Sequence, residues 1–214
     1  MDDHVRTKDK FPDRKYDTAS SFLADYAAAV AAALGSVRSS EIDRAVTAIK
    51  RAMLGDKLIY SCGNGGSAAI ANHLTCDCSK GIATNTTLRP RVVSLSATVE
   101  LVTAIANDVA YSEIFVNQLK NIARPGDVLI TISSSGDSEN IVRAIAWAAD
   151  NGMTTIALSG FSGGRSAAMA DINLHVGAEN YGVVEDVHQS LMHLVAQYVR
   201  MTELPADLVS TLRF

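Results

Sequence analysis

Two turns in this sequence carry the residue types that hold anions. The first is Tyr60-Ser61-Cys62-Gly63-Asn64-Gly65-Gly66-Ser67, where a short apolar segment meets glycines and a serine and then a helical run to Cys78. Glycine lets backbone N–H groups approach a ligand closely, and a helix N-terminus favours negative charge. The second is Ser133-Ser134-Ser135-Gly136-Asp137-Ser138, which sets four serines within six residues ahead of a helical pattern. Its hydroxyls and N–H groups can surround a phosphate without a lysine or arginine. Read alone, it is equally a well-furnished helix cap. Two such turns in one chain favour phosphate. The first lacks the Lys-Ser/Thr ending of a nucleotide P-loop and the spacing of a dinucleotide fingerprint, so a small phosphorylated molecule is expected and no nucleotide cofactor.

The elements that must position these turns follow from hydrophobic pattern and punctuation. Helices are expected over 19–34, ended by Gly35, and over 41–54, capped by Ser39 or Ser40. These two precede the first strand and look like an antiparallel pair. Small alanine side chains on several faces of the first would suit packing against another subunit. Strands over 57–60, 91–95, 127–132, 154–158 and 172–176 then alternate with helices over 99–106, 112–122, 138–150, 165–170 and 183–201. Alternation of this kind implies right-handed crossovers, a parallel sheet and an open α/β sandwich. Ligands in such sheets bind beyond the carboxyl ends of strands, where both turns lie. The expected division is a flexible arm over 1–16, a single domain over 17–201 that includes the helical pair, and a tail over 202–214.

Composition narrows the class. With 214 residues, 48% hydrophobic and 20% charged, the chain can bury a core and is ordinary for a globular protein. A net charge of −4 argues against nonspecific binding to nucleic acid or anionic membranes. No window has the length and apolarity of a membrane span, and the start, Met1-Asp2-Asp3-His4, lacks the apolar core of a signal peptide. Cys62, Cys76 and Cys78 form no secreted disulfide framework, so a reducing cytoplasm is expected.

Taken together, three stretches resemble the sugar isomerase (SIS) domain, and more narrowly its phosphoheptose isomerase branch. They are Gly63-Asn64-Gly65-Gly66-Ser67-Ala68-Ala69 with His73, the turn Ser133–Ser138, and Glu185-Asp186-Val187-His188 with His193. The resemblance implies a three-layer sandwich around a five-stranded parallel sheet, flavodoxin-like and preceded by two helices. It implies a homotetramer with active sites between subunits and a phosphorylated sugar as substrate. Carried over, Ser67, Ser133, Ser134, Ser135 and Ser138 would hold the phosphate. Asn64, Gly65, Gly66, Asp108 and Glu185 would line the sugar site. Asp77 and His193 would be the catalytic pair, converting sedoheptulose 7-phosphate to D-glycero-D-manno-heptose 7-phosphate. His73, Asp77, Glu185 and His193 would bind a divalent metal, zinc in some members. Three departures stand out: Asp77 replaces the usual glutamate, Glu185 the usual glutamine, and Asp137 an asparagine common in the serine turn. Lys80, three after Asp77, stands in for a basic residue expected nearby.

The spacing agrees with this chemistry. Moving a proton between adjacent carbons through an enediol needs a base, a shuttle for the oxygens and stabilisation of the enediolate. His73 and Asp77, four apart, share a helix face. Glu185 and His193, eight apart, lie about 80 degrees round the last helix, whereas His188 points away from His193. Without the resemblance, His73 and His193 read as half-buried helix histidines, Glu185 as a first-turn acid, and Cys76 and Cys78 as inert, diverging thiols. The alternative from another class is a non-catalytic SIS protein that binds a phosphosugar or a replication initiator.

Overall fold

The computed structural model describes residues 11–214. Five strands make the sheet: β1 (Leu58–Gly63), β2 (Arg91–Ser94), β3 (Val128–Ser133), β4 (Thr154–Ser159) and β5 (Ile172–His175). All four pairings are parallel, and the order is β2-β1-β3-β4-β5. The central strands are buried along nearly their whole length, as their near-continuous apolar sequences require.

Alternate side chains feed two cores. Ile59, Val128, Ile130, Ile132, Ile156 and Leu158 face one way, against α2 (Ser39–Leu54), α3 (Gly66–Cys76) and α8 (Tyr181–Glu203). Tyr60, Cys62, Leu129 and Ala157 face the other, against α5 (Val116–Ile122) and α6 (Glu139–Asp150). The result is the three-layer α/β sandwich expected from the alternation. Two short helices complete that second side, α4 (Val99–Asp108) and α7 (Gly164–Met169).

The leading helices differ from the antiparallel pair that their sequence suggested. α1 (Ala19–Gly35) and α2 meet at 69°. Each has its own support: α1 lies on α8, whereas α2 buries Ala45, Val46, Ile49 and Met53 against the sheet and α8. Arg38, in extended conformation, is the N-cap of α2, and the two serines expected to cap it fall in its first turn. Of the expected arm, residues 1–10 lie outside the described residues. Phe11 packs against Phe22 and Tyr26, with ring centroids 4.9 and 5.7 Å away. At the other end α8 is followed by a single helical turn, α9 (Ala206–Val209), and the chain then returns to α8, where Phe214 lies against Arg200. Among the described residues no single helix is long and apolar enough to cross a membrane.

Candidate active site

Strand order 2-1-3-4-5 reverses direction between β1 and β3, and that crevice is where ligands of open α/β sheets bind. Both anion-ready turns open there. Asn64 follows β1, the serine turn begins at the last residue of β3, and the two strands are in register with Gly63 opposite Ile132. Side chains lock the turns together. Asn64 Nδ2 donates to Asn140 Oδ1 (3.0 Å), Asn140 Nδ2 donates back to Asn64 Oδ1 (2.9 Å), and the Tyr111 hydroxyl donates to the same Asn64 oxygen (2.9 Å).

The serine turn is built to leave polar groups for a ligand. Ser133 Oγ accepts from Gly136 N and Ser135 Oγ from Asp137 N, which closes the turn. Ser138 is the N-cap of α6, yet its side chain makes no capping hydrogen bond, and Ser134 Oγ is buried with no partner. A plain cap would have used these groups on the helix. Gly136 is required by its surroundings: its φ is +67°, and a Cβ there would run into the Gly163 carbonyl of the loop after β4. The negative charge of Asp137 is taken up by Arg165, whose Nε lies 2.9 Å from Asp137 Oδ1 and whose Nη1 lies 2.9 Å from Glu139 Oε2. Hydrogen bonds from Arg165 hold the Asp137 carboxyl below the usual range.

The expected reacting groups lie at the end of α3, in the turn that follows it, and on α8. Ser61 Oγ donates to Ala71 O (2.9 Å), fastening α3 to β1. At Asp77 the helix widens into a π-helical turn, Asp77–Ile82, anchored by buried Cys78 and Ile82. Such turns recur at functional sites because they re-aim a side chain within a helix. On α8, Asn180 Oδ1 caps Val183 N, and an apolar stripe from Val183 to Val199 faces the core. The helix edge carrying His193 is thereby turned toward α3.

Asp77 lies between two imidazoles. Its Oδ1 is 3.2 Å from His73 Nε2 and its Oδ2 is 3.0 Å from His193 Nδ1, and the imidazole rings are nearly perpendicular, 5.1 Å apart. The shorter aspartate therefore still reaches both histidines. Gln189 Nε2 lies 3.1 Å from His193 Nε2, on the side of the ring away from Asp77. Asp77 Oδ2 is enclosed and makes no well-aligned hydrogen bond, although His193 Nδ1 is close. The three ligand atoms lie within 4.8 Å of one another, which suits a metal ion.

Of the expected site residues, the structure groups His73, Asp77 and His193, and separately gathers Asn64 with the serine turn. Glu185 is not in the metal-type cluster; its carboxylate lies over Gly66, at the start of α3, so tightly that a Cβ on Gly66 would collide with it. Ser67 is buried in the first turn of α3. Asp108 is exposed at the end of α4, where it accepts from Asn107 Nδ2 (2.7 Å). Gln189, Tyr111, Asn140 and Arg165 escaped sequence reasoning. Only Gln189 left a signal, four residues before His193. His188 is fully buried, pointing away from His193 as its position predicts. Cys78 and Cys62 are buried and Cys76 is exposed, so the Cys-x-Cys pair does diverge. Burial pushes the Cys78 thiol up to about 12, which keeps it unreactive.

Comparison with known proteins places these features. The SIS domain model matches residues 24–160. A phosphoheptose isomerase from Shewanella denitrificans is 34% identical over 78% of this chain and 86% of its own length. The structure of phosphoheptose isomerase GmhA from Neisseria gonorrhoeae superposes with a TM-score of 0.78 at 29% identity, covering 85% of this chain and 98% of that one. A phosphoheptose isomerase from Francisella tularensis superposes with a TM-score of 0.77, also at 29% identity and with the same coverage.

Proposed function

Because the chain belongs to the SIS-domain family, on its phosphoheptose isomerase branch, we propose that it isomerises sedoheptulose 7-phosphate to D-glycero-D-manno-heptose 7-phosphate. The observation that carries this reading is the meeting of Asp77 with His73 and His193 beside a crevice holding two anion-ready turns. In this reading Ser67, Ser133, Ser134, Ser135 and Ser138 hold the phosphate, and Asn64, Gly65, Gly66 and Glu185 line the sugar. Asp108 is assigned to the sugar site by the family resemblance alone.

Asp77 removes a proton from C1 of the ketose; the C–H electrons form the C1–C2 double bond of the enediol, and the C2 carbonyl oxygen gains a proton. His193 carries the proton between the two oxygens, taking it from O1 and supplying O2. Return of the carbon-bound proton from Asp77 to C2, with C1 becoming the carbonyl, completes the aldose. The 3.0 Å separation of His193 Nδ1 and Asp77 Oδ2 supports their working at one reacting end.

Two imidazoles and a carboxylate with an enclosed, unbonded oxygen fit zinc, with three protein ligands leaving a position open for substrate. Zinc held by His73, Asp77 and His193 would supply Lewis-acid polarisation of the carbonyl. We further propose a cytoplasmic homotetramer with active sites between subunits. α1 supports this, since it buries only Ala33 within the chain and exposes Phe22, Leu23 and Leu34.

Turnover of sedoheptulose 7-phosphate at neutral pH is the test. His193→Ala and Asp77→Asn should each lower kcat by about 10²–10⁴-fold, the usual worth of a general acid or base, while phosphosugar binding survives. Absence of turnover with and without zinc would remove the isomerase reading and leave the non-catalytic one.

A further inference from the structure

A cavity of about 490 Å³ opens beside Asp77 and His193 and runs along α8 away from the serine turn, past Ala196 to Arg200. Its remaining walls are the π-helical turn and the C-terminal segment. Three cations line it: Lys80, Arg200 and Arg213.

Arg200 is the telling one. It is only 7% exposed, yet its partners carry no formal charge. Nε donates to Thr84 O (3.2 Å), Nη1 donates to Arg213 O (3.1 Å), and the guanidinium lies over the Phe214 ring, 4.9 Å from its centre. Among the described residues no carboxylate lies within ion-pair distance of Arg200, Arg213 or Lys80. Asp77, the one acidic side chain on the cavity wall, is already between two imidazoles. A buried guanidinium without a counter-charge is costly, and proteins ordinarily pair it. Two further cations on the same wall increase that cost unless an anion enters.

We propose that this cavity is a second anion site, distinct from the serine turn, which takes a phosphate-sized tetrahedral oxyanion. Arg200 and Arg213 supply fixed guanidinium donors suited to such a group, and Lys80 adds a point charge at the mouth. The C-terminal segment is part of the site: it brings Arg213, and its Phe214 ring holds the Arg200 guanidinium in place. An anion bound there shares a cavity with Asp77 and His193, so occupancy acts directly on the reacting end.

The probe is inorganic phosphate, titrated into the full-length protein by calorimetry, with and without zinc. The double variant Ser133→Ala/Ser135→Ala removes two of the serine turn's hydroxyls and so weakens its share of the measurement. Binding should persist in that double variant without zinc and weaken at least tenfold on adding Arg213→Glu or Lys80→Ala. Both of those side chains are exposed, whereas Arg200 is buried, so neither change disturbs the core. Glycerol 3-phosphate binding more tightly than phosphate would identify the ligand as the end-group of a metabolite, and equal binding would identify the free ion. Binding abolished by the serine substitutions, present only with zinc, or indifferent to Arg213→Glu and Lys80→Ala would overturn the proposal. Turnover plays no part in this readout, so the isomerase reading and this one fail separately.

Discussion

At the scale of single residues, the decisive arrangement is Asp77 between His73 and His193. The four-residue spacing of His73 and Asp77 made half of it legible. The other half depends on where α8 crosses α3, which no local pattern encodes. The widened turn at Asp77, in which Cys78 and Ile82 are buried, was equally hidden, because no local sequence pattern marks a π-helical turn. Arg165 was missed because it lies in the first turn of α7, distant in sequence from the Asp137 it neutralises. Arg165→Ala should release that charge beside the phosphate and raise KM for the phosphosugar several-fold with kcat little changed, as steady-state kinetics would show. His188 gives a stability prediction. Burial drives its pKa down to about 4, with a smaller push from His175, while the nearby Ser159 carbonyl favours the proton without forming a well-aligned hydrogen bond. The folded protein thus resists a proton that the unfolded chain accepts near pH 6.5. Stability should be full above that pH and fall as pH drops toward 4, by up to about 3 kcal/mol. His188→Gln should flatten this dependence in denaturant melts taken from pH 7 to pH 4.

At the scale of elements, the strand–helix alternation was plain, but the ends of strands were not. β1 runs to Gly63, three residues past its apolar stretch, because Ser61, Cys62 and Gly63 pair with β3 despite their small or polar side chains. The helix expected over 112–122 begins at Val116, after a separate 3-10 turn, Tyr111–Glu113, that delivers Tyr111 to Asn64. The serine turn shows how tightly an element can be specified. Gly136→Ala adds a side chain at positive φ and drives it into the Gly163 carbonyl, so a loss of at least about 1–3 kcal/mol is expected from backbone strain. Thermal melts should show that loss together with weaker phosphate binding. Unchanged phosphate affinity would mean that the turn is only a cap.

At the scale of the whole molecule, five alternating strand–helix units predicted the sandwich, and the reversal of strand order between β1 and β3 brought the two turns together. What one chain cannot encode visibly is its assembly. Leu23 is 64% exposed on a helix whose alanines leave room for a neighbouring helix. Leu23→Asp should lower the mass seen by sedimentation while leaving the fold intact by circular dichroism; an unchanged mass would move the subunit contact elsewhere.

The proposed activity rests on proton transfer between adjacent carbons of a ketose phosphate. It is read most directly by incubating the protein with sedoheptulose 7-phosphate in heavy water and following C1 and C2 by NMR. The expected product is an aldose 7-phosphate carrying deuterium at C2, with loss of that signal in Asp77→Asn. Sedoheptulose 7-phosphate recovered with both C1 protons and no aldose would contradict it.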